Sequence, residues 1–255
     1  MIRPYLERMT ESELMAVMVG GYATIAGGVM AAYVSMGIDA GHLFTASVIS
    51  APAALLISKI MQPETSTPET AGAAQIEIER TSVNALDAIS TGAADGLKLA
   101  LNVGAMLIAF LALIALLDSG LSAVGSWFGR AWSLEAGLAW LFAPFAWLIG
   151  IESGDVLAVG ELLGLRMAAN EFLAYERLAE WIKPDSEVTL SPRSQVIVTY
   201  ALCGFANLGS VGVQIGGLGA IAPGRRADLA RLAFRAMLGG TLACFMTACV
   251  VGILL

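Results

Sequence analysis

Charge is scarce in this 255-residue chain: 14% of residues are Asp, Glu, Lys or Arg, where soluble domains carry about a quarter. With 57% hydrophobic residues and a mean hydropathy of +0.76, it reads as an integral membrane protein. Runs of Lys and Arg are missing and the net charge is -7, which excludes the basic footprint of a nucleic-acid binder. Histidine is limited to His42, in a short polar break, and a lone histidine cannot build a metal cluster. Cysteine is limited to Cys203, Cys244 and Cys249. All three lie in apolar stretches without zinc or redox spacing and read as small buried thiols. The N-terminal MIRPYLERMTESEL has charge but not the apolar core of a signal peptide. H-E-x-x-H, a Ser-His arrangement and a carboxylate-metal cluster are all missing, so nothing supports a membrane enzyme or a cofactor.

The apolar segments that remain allow roughly five or six spans. Thr10 and Glu13 form a T-x-x-E capping box, and a first span follows over 11–36, rich in glycine and with Thr24 at depth. A second span, 43–61, contains Pro52, which predicts a kink. The Pro/Thr/Glu-rich stretch Gln62 to Thr81 reads as a solvated loop. Within 84–127, Asn84 to Lys98 is weakly amphipathic and predicts an interfacial segment, and Leu99 to Leu117 is the clearest span, with Asn102 its one strongly polar residue. The stretch 133–182 opens apolar, is expected to break at Pro144, and then carries Glu152, Asp155, Glu161, Arg166, Asn170, Glu171 and Glu176. That charge density suits a re-entrant helical hairpin better than a clean span. Ser191-Pro192 is an N-cap with proline at N1 and opens a span over 192–218; a last span covers 236–255.

Tyr200 to Leu218 is apolar enough to lie in a membrane, yet holds Asn207, Ser210 and Gln214 among its glycines. Glycine weakens helices, and polar unwound backbone at membrane depth is tolerated where it lines a cavity or binding site. This predicts a broken helix that holds something. GYATIAG (Gly21 to Gly27) lines up with GFANLGS (Gly204 to Ser210), and each follows a capped helix start. If the loop after Met61 is cytoplasmic, most Lys and Arg fall on that side, the first span runs outward and the later one inward. The expected fold is all-α and membrane-integral, an inverted-repeat transporter with discontinuous helices and a re-entrant hairpin. Chance likeness, or glycines kept for close helix packing, is the plainer alternative.

The text IRPYLERMTESELMAVMVGGYATIAGG, ASVISAPAALLISKIMQPET, NEFLAY and LSPRSQVIVTYALCGFANLGSVGVQIGGLG resembles the C-terminal part of the bacterial-type concentrative nucleoside transporters, over essentially residues 1–255. The resemblance implies a cation-coupled symporter, driven by sodium or protons, that imports nucleosides by alternating access as a homotrimer in the bacterial inner membrane. It implies that Glu171 binds ribose hydroxyls from the hairpin, that Asn207 and Ser210 contact ribose with Phe205 beside them, and that Val29 packs on the base. It also implies that Thr24, by its hydroxyl, and Ile25, by its carbonyl, belong to a partial sodium site. Chemically, vicinal hydroxyls suit a carboxylate and an amide, and a hard cation suits freed carbonyls. The alternatives are an ion pair of Glu171 with Arg166 or Arg177, an interhelical bond for Asn207, and back-bonding to the preceding turn for Ser210 and Thr24.

The family's G-Q-T-E-A-P-type hairpin tip, which reads the base, would precede IRPYL, so an incomplete copy is expected. Gly28 and Gly209 are smaller departures from the family pattern. A short membrane protein or partner subunit that does not transport is the alternative reading.

Overall fold

The computed structural model describes residues 3–68, 83–129 and 132–255. Every regular element among them is helical: α1 (Arg3–Leu6), α2 (Glu11–Ala23), α3 (Gly27–Ser35), α4 (Ala40–Met61), α5 (Ala85–Trp127), α6 (Leu134–Leu148), α7 (Val156–Ala168), α8 (Glu171–Trp181), α9 (Pro192–Leu202), α10 (Leu208–Ile221) and α11 (Arg226–Leu254), with a 3-10 turn at Pro223–Arg225. Most of the Gln62 to Thr81 loop lies outside the described residues.

The two expected helix starts are built as their residue types dictate. Thr10 accepts from the Glu13 N–H, and Glu13 reaches back to the Thr10 N–H at 2.9 Å. Ser191 caps α9 by accepting from the Ser194 N–H, with Pro192 in the first turn. Each capped helix then stops short and resumes after a few extended residues. α2 gives way to α3 across Thr24–Ala26, and α9 to α10 across Cys203–Asn207. Each broken helix is followed by a long unbroken one, α4 in the first unit and α11 in the second, whose facing loop at Pro223–Arg225 is short.

The contacts fix the directions. Arg231 meets Glu11 at 2.6 Å, and the Cys244 thiol lies 4.0 Å from the Ala23 carbonyl, so α11 runs parallel to α2. Ser12 donates to the Gln62 carbonyl at 2.7 Å, so α4 runs against α2. Arg193 donates to the Gly252 carbonyl, and Cys244 meets the Cys203 carbonyl at 3.3 Å, so α9 runs against α11. Hence α2 and α9 are antiparallel, and the two units form an inverted repeat. Among the described residues, three helical segments are long and apolar enough to cross a membrane: Glu11–Ser35, Ala40–Met61 and Pro223–Leu254.

Three features differ from the expectations. Pro144 does not break α6 but lies inside it. The chain turns instead at Gly150, whose φ of 94° is a left-handed value; Gly150 N–H bonds Trp147 O and Ile151 N–H bonds Ala146 O, a glycine C-terminal stop. The stretch 133–182 therefore holds three helices. α6 lies antiparallel on α7, where a Cβ at Gly160 would come within 2.5 Å of the Ala139 carbonyl, and the re-entrant pair is α7–α8, reversing at Ala169–Asn170. Second, Asn84 to Leu117 is one continuous helix: α5 runs 43 residues, about 65 Å at 1.5 Å per residue. No proline interrupts it between Asn84 and Trp127. The side chains of Lys98 and Asn102 lie outside the described residues. Third, His42 is in the first turn of α4, where its Nδ1 sits 3.2 Å from the Tyr200 hydroxyl, rather than in a break.

α7 enters from the end marked by Asp155, which accepts from the Ser191 N–H at 3.0 Å, and α8 leads back toward the loop that precedes Ser191. Lys59, Arg225, Arg231 and Arg235 gather at the opposite end, with Arg235 on the Met61 carbonyl and Arg225 on the Leu6, Glu7 and Met9 carbonyls. There Thr10 donates to Glu64 at 2.7 Å, which holds that carboxyl below the ordinary range.

Candidate functional site

The two helix breaks meet one another. A Cβ on Gly204 would lie 2.7 Å from the Tyr22 carbonyl and 2.7 Å from the Cys244 sulfur, so only glycine lets the breaks touch. Onto this crossing comes the turn between α7 and α8. Asn170 caps α8 by accepting from the Leu173 N–H at 3.0 Å, which sets Glu171 as the first helical residue. The positive end of a helix favours a carboxylate there.

Glu171 is buried, 4% exposed. Its Oε2 accepts from the Asn207 amide at 2.9 Å, and its Oε1 from the Tyr33 hydroxyl at 3.3 Å. Asn207, also buried, caps α10 with its other end, Oδ1 accepting from the Ser210 N–H at 2.8 Å. The hairpin tip, the second break and α3 thus converge on one carboxylate. Tyr33 stacks on Tyr175 with ring centroids 4.2 Å apart, and Tyr175 donates to the Thr199 carbonyl at 2.6 Å. Phe205 and Val29 are half-buried against the same apolar cluster as Tyr33 and Tyr175.

Of the residues singled out from the sequence, Glu171 and Asn207 are in direct contact, and Ser210 joins them through its backbone. Thr24 and Ile25 occupy the first break. Thr24 is extended and donates to the Gly20 carbonyl at 2.9 Å, the back-bond of the plainer reading. Ile25 is buried beside the cluster that holds Tyr33, and its carbonyl lies between the helical ladders of α2 and α3. No hydrogen bond links Thr24 or Ile25 to Glu171 among the described residues. The alternative ion pair for Glu171 is not formed: Arg177 pairs with Glu161 at 2.9 Å, and Arg166 donates to the Gly204 carbonyl and the Cys244 sulfur, each at 3.4 Å.

Tyr33 escaped the sequence reading as part of this site, and Arg166 entered it only as an alternative ion-pair partner of Glu171. Tyr33 follows Val29 at helical spacing in an apolar run, which ordinarily means core. Arg166 had one signal, a guanidinium inside the apolar run VLAVGELLGLRMA.

A buried carboxylate whose partner is an amide donor can exchange that donor for a ligand's hydroxyl pair. Extended carbonyls at a broken helix can take a hard cation.

Residues 42–252 match the family described as Na+ dependent nucleoside transporter C-terminus. An uncharacterized transporter of Haemophilus influenzae is 46% identical over 254 residues, covering 99% of this chain and 61% of the relative. Solute carrier family 28 member 3 of Homo sapiens is 44% identical over 270 residues, covering 100% of this chain and 38% of that protein. CNTnw in an inward-facing substrate-bound state superimposes with a TM-score of 0.89 at 43% identity, over 99% of this chain and 59% of that one. The chain therefore spans about three fifths or less of the length of these relatives.

Proposed function

This chain belongs to the Na+-dependent nucleoside transporter family, a family of transporters rather than enzymes, and from that premise we propose that it forms the nucleoside- and cation-handling part of a symporter. The observation that carries the proposal is the hydrogen bond between Glu171 and Asn207, which joins the tip of the α7–α8 hairpin to the second broken helix. A ribose enters by displacing this contact. Its vicinal hydroxyls donate to Glu171 and exchange bonds with the Asn207 amide and the Ser210 hydroxyl, while Phe205 and Val29 supply apolar walls to the sugar and the base. Sodium is taken at the first break by the Thr24 hydroxyl and the Ile25 carbonyl, an all-oxygen partial set suited to a hard monovalent cation.

Coupling needs the cation to favour the substrate-competent state by differential affinity. The two breaks touch through the Cys244 thiol, which reaches both the Cys203 and the Ala23 carbonyls. An ion that orders the first break is thereby felt at the second. The protein works as a homotrimer in the bacterial inner membrane and alternates access by an elevator-like or gating motion around the fixed site.

Uridine uptake by cells expressing the protein from its own gene tests this. Glu171→Gln removes the carboxylate charge with little change of shape and lowers uptake at least about tenfold, an interaction of roughly 1.4 kcal/mol or more. Wild-type uptake in this variant would sink the assignment.

A further inference from the structure

The proposed function leaves one buried charge unused. Arg166 lies in the last turn of α7 and is 1% exposed. A guanidinium at membrane depth is costly unless its charge is balanced. Arg177 is satisfied by Glu161 at 2.9 Å. The hydrogen-bond partners of Arg166 are instead two neutral groups, the Gly204 carbonyl and the Cys244 sulfur. The titratable groups around it are Tyr33 on α3, Tyr175 on α8, Cys203 at the second break, Cys244 on α11, and Glu171. Against Gly160 and Gly164 of α7, α6 places Leu138, Ala139 and Ala143. Glu171 is the carboxylate among these groups.

We propose that Arg166 is a positioning residue: a resident cation that balances the Glu171 carboxylate and pins the hairpin tip to the second break. The geometry is a two-point bracket. On one side of the tip Arg166 donates to the Gly204 carbonyl; on the other Glu171 accepts from Asn207, three residues along the same break. Asn207 has already used its carbonyl oxygen on the Ser210 N–H, so only its amide hydrogens face Glu171, which suits the ionised carboxylate. When a sugar takes over Glu171 and Asn207, the Arg166 contact stays and keeps hairpin and break in register. This role rests on the reading of Glu171 as the sugar-binding carboxylate.

The test is a double-substitution cycle on the full chain purified in detergent, read by tryptophan-fluorescence melting and by infrared detection of the protonated carboxyl C=O stretch. Arg166→Gln lowers the melting temperature, because Glu171 is left unbalanced, and adding Glu171→Gln recovers at least about half of that loss. Arg166→Lys retains more stability than Arg166→Gln. Folded Arg166→Gln shows a protonated carboxyl band that is missing from wild type and is removed by Glu171→Gln. The proposal is overturned if the double variant loses the sum of the single losses, or if wild type already carries the Glu171 band. Should Arg166→Gln not fold, the same cycle is read from the yield of monodisperse protein: rescue by Glu171→Gln supports the charge balance, and failure to rescue overturns it. Neither readout depends on transport. Wild-type protein that takes up no uridine would count against the proposed function and leave the cycle readable.

Discussion

Asn207 uses both ends of its amide, one to cap α10 and one to hold Glu171. Asn207→Asp keeps an acceptor for the Ser210 N–H but sets a second carboxylate against Glu171, and like charges at such a distance do not both ionise. Nucleoside uptake is expected to fall more than about tenfold, on the scale of a charged hydrogen bond, while the protein still folds. Uptake that stays near wild type would show that Asn207 is only a cap. Tyr33→Phe is milder. It removes the hydroxyl 3.3 Å from Glu171 and leaves the ring stacked on Tyr175. A hydrogen bond to a charged carboxylate is worth about 1.5 kcal/mol at the low end of its range, so half-saturation for uridine should rise roughly tenfold, with the melting temperature little changed. Asn207 could be named from the sequence because a polar group in apolar text stands out, and Glu171 because NEFLAY resembles the family's hairpin motif. Tyr33 could not, because an aromatic at helical spacing looks the same whether it faces a lipid, a core or a carboxylate.

At the level of the elements, the two breaks are the device, and Gly204 is what lets them meet. Gly204→Ala places a methyl within 2.7 Å of the Tyr22 carbonyl and the Cys244 sulfur. Backbone at both breaks must move, at a cost of about 1–3 kcal/mol. Detergent-solubilised protein should melt several degrees lower, and sodium should protect it less. An unchanged melting curve would mean that the breaks are looser than they stand. The helix starts were legible because capping is local: Thr10 with Glu13, and Ser191 with Pro192, announce themselves within four residues. The stop of α6 was misplaced because proline was weighed above glycine. Pro144 forfeits one hydrogen bond yet stays in an otherwise helical run, whereas Gly150 supplies the left-handed residue that a reversal requires. The continuity of α5 was hidden by a change in composition near Lys98, and composition alone does not end a helix that no proline interrupts.

Across the whole molecule, the antiparallel course of α2 and α9 sets two chemically different ends. The loop at Ser66 lies at the arginine-rich end, and Asp185 lies beyond α8 at the other; both are exposed. Single cysteines at Ser66 and Asp185 should therefore react with a membrane-impermeant thiol reagent from opposite sides, Ser66→Cys from the cytoplasm and Asp185→Cys from outside. Labelling of both from one side would contradict the inverted repeat. Cys203 and Cys244 are buried and Cys249 is half-buried, so background reaction is low. The sequence alone determined the membrane class, the capped starts, the presence of two glycine-rich polar breaks and their likeness, because hydropathy, capping and backbone freedom are properties of neighbouring residues. Only the tertiary structure decided that the breaks touch at Gly204, that Glu171 meets Asn207 and Tyr33, and that Arg166 turns to a carbonyl instead of forming an ion pair. Those are contacts between residues as far apart in the chain as Tyr22 and Gly204, and no local rule of chain conformation specifies them.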